Sequence, residues 1–164
     1  MFDLQTWLLA LEALMVFGVA GWLLSLVRKD VSIVDSMWSL MFGIAAVVYL
    51  LGTESGPRAT LVMLLAAIWA VRLAVYITWR NWGEGEDYRY QRIRANNEPN
   101  FAFKSIYIVF GLQAALAWII SLPLLAAMSG TRPIGFIDLA AVVLWAVSYT
   151  HLTLPTKESR CGCG

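Results

Sequence analysis

The sequence predicts an all-α integral membrane protein with five transmembrane helices and its N-terminus outside. Hydrophobic residues fill 60% of the 164 positions and charged residues only 14%, against roughly 45–50% and about 25% in soluble domains. The apolar residues gather in runs of about 20, the length that crosses the hydrocarbon layer. Orientation follows from the basic residues. Arg28, Lys29, Arg80, Arg89, Arg92, Arg94 and Lys104 fall on one side of the spans, and only Arg58 and Arg132 on the other. The richer side reads as cytoplasmic.

The first span covers residues 6–27, is apolar apart from Glu12, and closes at Arg28-Lys29-Asp30. It lacks a basic leading segment and is long enough to span, so it reads as a helix and not a cleaved signal. The second covers 31–51 and holds Asp35 in its first turns; residues 53–59 form a turn broken at Gly56-Pro57. The third covers 60–79 and is followed by a polar loop over 80–100. A fourth, about 105–128, is expected to kink at Pro123. After a turn at 129–133, a fifth begins about residue 134. No repeat or linker divides the chain, so residues 1–146 read as one polytopic domain.

The fifth span turns polar before it is long enough to cross. Residues 147–156, VSYTHLTLPT, match the in-frame translation of a transposase-type sequencing-library adapter over ten consecutive positions. Residues 147–164 therefore read as a non-native tail, with the natural protein continuing past about residue 145. On that reading His151, Cys161 and Cys163 carry no role. A lone CxC is also a poor metal site, and no metal is expected. Nothing in the pattern of basic residues and aromatics points to nucleic acid; the partner the composition implies is the lipid bilayer.

Four charged residues fall inside spans: Glu12, Asp35, Arg72 and Asp138. Glu12 suits a surface position. Asp138, in the first turn of its helix, suits an acid that offsets the helix dipole. Asp35 and Arg72 lie roughly 6 Å and 10 Å inside the cytoplasmic ends of consecutive antiparallel helices, so they are expected to approach each other. Ser32, Ser36 and Ser39 share a face with Asp35, and Trp69, Tyr76 and Trp79 share one with Arg72. An arginine in a span costs roughly 2.5–3.5 kcal/mol, which makes a functional site the default expectation; a purely structural ion pair between the helices stands beside it. Tyr76 and Gln113 are further polar groups able to line a cavity. In the polar loop, Arg89, Arg92 and Arg94 with Tyr88 and Tyr90 could meet the phosphates and ring of a nucleotide cofactor, although the acids of GEGED would repel phosphate.

The segments DVSIVDSMW (30–38), WAVRLAVYITWRNWGEGEDYRYQRIR (69–94) and LQAALAWIISLPLLAA (112–127) together resemble the DUF1295 family. That family is grouped with steroid 5-alpha-reductase-like membrane enzymes, which share a fold with isoprenylcysteine carboxyl methyltransferases. The resemblance covers most of residues 30–145, with Ser39 standing where the family usually has Gly. It implies seven spans, an extracytoplasmic N-terminus and a bacterial inner-membrane location with the loops after helices 1 and 3 cytoplasmic. It also implies NADPH-dependent reduction of a C=C bond conjugated to a ketone in a steroid- or lipid-like substrate. By this likeness Asp35, Arg72 and Tyr76 are the catalytic candidates, with Asp35 holding or polarising the carbonyl. Trp38, Trp69 and Gln113 are the substrate-binding candidates, and Arg89, Arg92 and Arg94 the cofactor-binding ones. The family's R-x-x-x-H-P-N-Y-type segment, with most cofactor contacts, has no counterpart here, so the chain is expected to be the inactive N-terminal part of such an enzyme. An S-adenosylmethionine-dependent methyltransferase of the shared fold and a non-enzymatic membrane scaffold remain the alternatives.

Overall fold

Each helix begins and ends where the local chemistry directs. The computed structural model describes residues 3–151. The Asp3 carboxylate accepts from the Thr6 N–H at 3.1 Å and caps α1, Leu4–Arg28, supplying one of the acceptors that the first turn lacks. Lys29 closes α1 in the left-handed region (φ 55°), and Asp30 then accepts from Ser32 N–H ahead of α2, Ile33–Gly52. Gly56 and Pro57 open α3, Pro57–Arg80, proline at the first helical position costing no hydrogen bond.

The polar stretch after α3 is not the plain loop expected. It contains α4, Tyr88–Asn96, whose N-cap Asp87 accepts from Arg89 N–H at 2.9 Å. The fourth span runs from Phe101 to Met128, starting earlier than expected. It comprises α5 (Phe101–Ser105), a wider π turn (Ile106–Gly111), α6 (Leu112–Ile120) and α7 (Leu122–Met128). The break falls at Ser121, just before Pro123, where the ring removes a donor and crowds the preceding turn.

Among the described residues four helical stretches are long and apolar enough to cross a membrane: Leu4–Arg28, Ile33–Gly52, Pro57–Arg80 and Phe101–Met128. The chain is an all-α integral membrane protein. The expected fifth element is α8, Phe136–His151, with a shorter apolar stretch. It belongs to a separate unit that starts at Pro133. Its Asp138 lies in the first turn as expected and accepts from Gly135 N–H at 2.9 Å. Most of the expected tail, with Cys161 and Cys163, lies outside the described residues.

In the first unit α2 packs on both α1 and α3, while α6 and the π turn pack on α1. Small residues make this approach possible: Ala10, Ala45, Ala46, Ala59, Ala70 and Ala114 are buried at helix contacts. Polar groups bridge the helices inside. The Tyr49 and Ser121 hydroxyls bond at 2.6 Å, Ser39 Oγ donates to Ala70 O at 3.0 Å, and Trp118 Nε1 donates to Trp7 O at 2.8 Å. Such bonds average about 0.6 kcal/mol in membranes, so they orient the helices more than they stabilise them. Large apolar side chains such as Val16, Val27, Leu51 and Val75 point outward, where lipid receives them. Glu12 is also exposed, as expected.

The close pairing of the α1 start with the α2 end gives a test. Thr6 Oγ1 donates to Gly52 O, and a Cβ on Gly52 would come within 2.6 Å of the Thr6 hydroxyl and methyl. Gly52→Ala is expected to destabilise the protein by about 1–3 kcal/mol, read as a lowered thermal midpoint in detergent. Gly85→Ala, which meets nothing within 4 Å, should leave the midpoint in place.

Candidate functional site

Asp35 is the third residue of α2, and it does not stand alone there. The segment before α4 docks on the start of this helix: Val31 N–H donates to Glu86 Oε1 at 3.1 Å, and Asp87 N–H donates to Ser32 Oγ at 2.8 Å. This docking brings the first turn of α4 over Asp35. Tyr90 Oη donates to Asp35 Oδ1 at 2.6 Å, and Arg89 Nη2 donates to Asp35 Oδ2 at 2.7 Å. Both carboxylate oxygens therefore accept. Arg89 also reaches Asp87 through Nε and Nη2, at 3.0 and 3.1 Å.

The expected Asp35–Arg72 pairing is corrected: the structure gives Asp35 its ion pair with Arg89. Helix register explains the change. Thr78 Oγ1 donates to Ser36 Oγ and Ser39 Oγ donates to Ala70 O, so Asp35 stands level with the last turn of α3. Arg72 lies six residues before Thr78, about 9 Å further along the helix, and is half-buried there.

A cavity of about 300 Å³ opens beside Asp35, lined by Trp38 of α2, Ile77 and Arg80 of α3, and Gln113 of α6. Three of the residues singled out from the sequence, Asp35, Trp38 and Gln113, thus meet at one place. Trp69 is linked to it through an edge-to-face ladder. Trp38 and Phe42 lie 5.3 Å apart and Phe42 and Trp69 5.9 Å apart, by ring centroids. Arg72 and Tyr76 lie outside the lining. Tyr76 is 49% exposed, with the Arg80 guanidinium 6.0 Å from its ring.

Of the three loop arginines, two are engaged within the chain. Arg89 serves Asp35 and Asp87, and Arg94 binds Glu86 through Nε and Nη2 at 3.0 and 2.7 Å while lying over the Phe101 ring. Arg92 is exposed. Sequence reasoning missed Arg80 and Ile77 as lining residues and missed Tyr90 and Arg89 as partners of Asp35. One signal was present: Asp87 ahead of a Tyr-Arg-Tyr run has the form of a helix N-cap, and that helix delivers both partners.

These contacts set the titration behaviour of the connector. Burial, reinforced by the bond to Asp35, raises the Tyr90 hydroxyl above its ordinary value. The Asp87 carboxyl is lowered by its side-chain and backbone bonds with Arg89. The Arg89 guanidinium is raised by the Asp87 bond and the Asp35 charge, and Arg94 by its bond to Glu86. Among the described residues no cluster of His, Cys, Asp and Glu could hold a metal ion.

The family pattern described as a protein of unknown function (DUF1295) matches residues 21–154. The chain belongs to the DUF1295 family. No curated protein and no solved structure matches it. In this DUF1295 protein the whole lining of the Asp35 cavity, and the α4 residues that hold Asp35, fall inside the matched region.

Tyr90 provides a direct check on the arrangement. Tyrosinate absorbance, followed for the protein and for Tyr90→Phe, should differ by one tyrosine titrating above the usual value of about 10. The folded hydroxyl holds its proton more tightly than the unfolded one, so its contribution to stability is full below about pH 10 and is lost as pH rises. Asp87 acts in the opposite direction: its contribution is present above about pH 3.9 and fades on acidification. A difference spectrum centred at the ordinary tyrosine value would contradict the Tyr90–Asp35 bond.

Proposed function

We propose that the cavity beside Asp35 receives the ketone end of a steroid- or lipid-like substrate, and that the protein is a membrane-embedded reductase of the C=C bond conjugated to that ketone. The reading rests on one observation. A carboxylate fixed by two donors stands at the rim of a cavity whose walls are Trp38 and Ile77 and whose polar groups are Arg80 and Gln113. The resemblance to steroid 5-alpha-reductase-like enzymes supplies the reaction class.

Reduction of an enone places negative charge on the carbonyl oxygen as the transition state forms, and donors aimed at that oxygen lower the barrier. The guanidinium of Arg80 and the side-chain amide of Gln113 are the donors lining the cavity. Asp35, with both oxygens already accepting, is an orienting anion in this scheme and not the proton donor. It fixes the Tyr90 hydroxyl and the Arg89 guanidinium at the rim. Trp38, extended by Phe42 and Trp69, offers an aromatic wall to a fused-ring or polyisoprenoid body. Arg72 and Tyr76 fall outside the proposed site.

By the same resemblance the electron donor would be NADPH. The arginines of the connector fit its phosphates poorly, because Arg89 and Arg94 already answer to Asp35, Asp87 and Glu86. Of the three, Arg92 alone is left to offer its charge outward. The proposed setting is a bacterial inner membrane with the N-terminus outside and the connectors after α1 and α3 cytoplasmic, supported by the excess of Lys and Arg on that side.

The test is turnover by the full-length protein in lipid nanodiscs, supplied with NADPH and an enone steroid. Loss of nicotinamide absorbance is expected, with kcat/KM falling about 100-fold in Gln113→Leu, the cost of one such donor. Asp35→Asn should fall as well. Transfer of a labelled methyl group from S-adenosylmethionine without nicotinamide oxidation would favour the methyltransferase reading. Neither activity would favour the scaffold.

A further inference from the structure

A second and larger cavity, about 530 Å³, opens on the other side of the α2–α3 pair. It lies where the last turns of α1, the first turns of α2 and the turn after α3 converge, and it shares no lining residue with the Asp35 cavity. Its chemistry is divided. Leu24, Ile33, Met37 and Trp82 give it apolar surface, and Arg28, Asp30 and Glu84 give it one cation and two carboxylates.

Its height along the helices is informative. The apolar run of α1 ends at Arg28 and that of α3 at Arg80, so the opening lies at the membrane–water boundary. Trp79 and Trp82, 75% and 74% exposed, occupy the same level, where tryptophan gathers at lipid headgroups. The polar groups there have capacity to bind. Arg28 and Glu84 are exposed. Asp30 spends one oxygen on Ser32 N–H. Thr78 donates to Ser36, which leaves the Ser36 hydroxyl hydrogen to donate. Asn81 accepts from Arg80 through Oδ1 and keeps its amide hydrogens.

We propose that this cavity binds a phospholipid with a primary-amine headgroup. Arg28 would take the phosphate, the form of recognition to which a guanidinium is best suited. Glu84 and Asp30 would take the ammonium, and Ser36 and Asn81 would donate to the ester oxygens. The first acyl carbons would lie along Leu24 and Met37. Charge complementarity selects the class: Glu84 and Asp30 stand in the same lining as Arg28, so the matching headgroup carries an ammonium as well as a phosphate. A quaternary ammonium brings no N–H to donate to those carboxylates. The site depends only on this geometry and stands whether or not the protein is a reductase.

Native mass spectrometry of the full chain, released from micelles doped with equal amounts of phosphatidylethanolamine, phosphatidylcholine and phosphatidylglycerol, tests the proposal. Preferential retention of phosphatidylethanolamine is expected. Arg28→Gln should lower its occupancy about tenfold, as expected for losing one charge-assisted hydrogen bond. Glu84→Gln should abolish the preference over phosphatidylcholine. Glu12→Gln, an exposed carboxylate away from the cavity, should bind as the parent does, and all three side chains are exposed enough for the variants to fold. Equal retention of the three lipids, or unchanged preference in both Arg28→Gln and Glu84→Gln, would overturn the proposal. Displacement by an equal concentration of soluble phosphoethanolamine would also overturn it, because the acyl chain would then contribute nothing.

Discussion

A carboxylate in the first turn of an apolar spanning helix must be given donors, and the supply of those donors to Asp35 organises this end of the molecule. An uncompensated buried charge costs several kcal/mol. Here Asp35 is 22% exposed, and a phenol and a guanidinium meet its two oxygens. The ion pair contributes little by itself, because Arg89 is 53% exposed and such pairs are worth about 0–1 kcal/mol. Its importance is positional. Tyr90 is buried among Val31, Val34 and Phe101, so placing its hydroxyl on Asp35 fixes α4 against α2 by packing as well as by polarity.

The acidic run before α4 takes its meaning from the same requirement. Glu86 accepts from Val31 N–H, one of the donors before α2, and holds Arg94 with both oxygens. Asp87 caps α4, binds Arg89 and donates its own N–H to Ser32. These acids fasten the connector and at the same time consume two of its three exposed-looking arginines. A polar, arginine-containing connector in a sequence is thus compatible with a surface that offers little net positive charge to a phosphate.

What was legible in the sequence was whatever depends on one helix at a time. The spans follow from apolar runs, the break before Pro123 from proline's missing donor, and the Asp138 position from the polarity of a helix start. What was not legible depends on how helices meet. Choosing Arg89 over Arg72 as the partner of Asp35 requires the α2–α3 register, which side-chain bonds between Ser36 and Thr78 and between Ser39 and Ala70 express. The helix α4 is nine residues long and polar, too short to persist without its contacts to α2. The π turn over Ile106–Gly111 leaves one trace, Gly111, where a Cβ would come 3.0 Å from Ile106 O. That trace is readable only after the turn is known.

The α2–α3 pair serves as a partition between two cavities, and the phase of the helix produces this. Asp35 and Trp38 line one cavity from α2, while Ile33 and Met37, together with the Ser36 that was expected on the Asp35 face, line the other; at the end of α3, Ile77 and Arg80 separate from Thr78 and the C-cap Asn81 in the same way. A partition can carry polar groups on both sides only if something else holds its two helices in register. The buried Ser39–Ala70 bond, with Met41, Ala45 and Ala46 packed beyond it, lies deeper than either cavity. With the register held there, the exposed Ser36–Thr78 hydroxyls and the Asp35 carboxylate are left at the boundary, where their hydrogen-bonding capacity can be turned toward other groups.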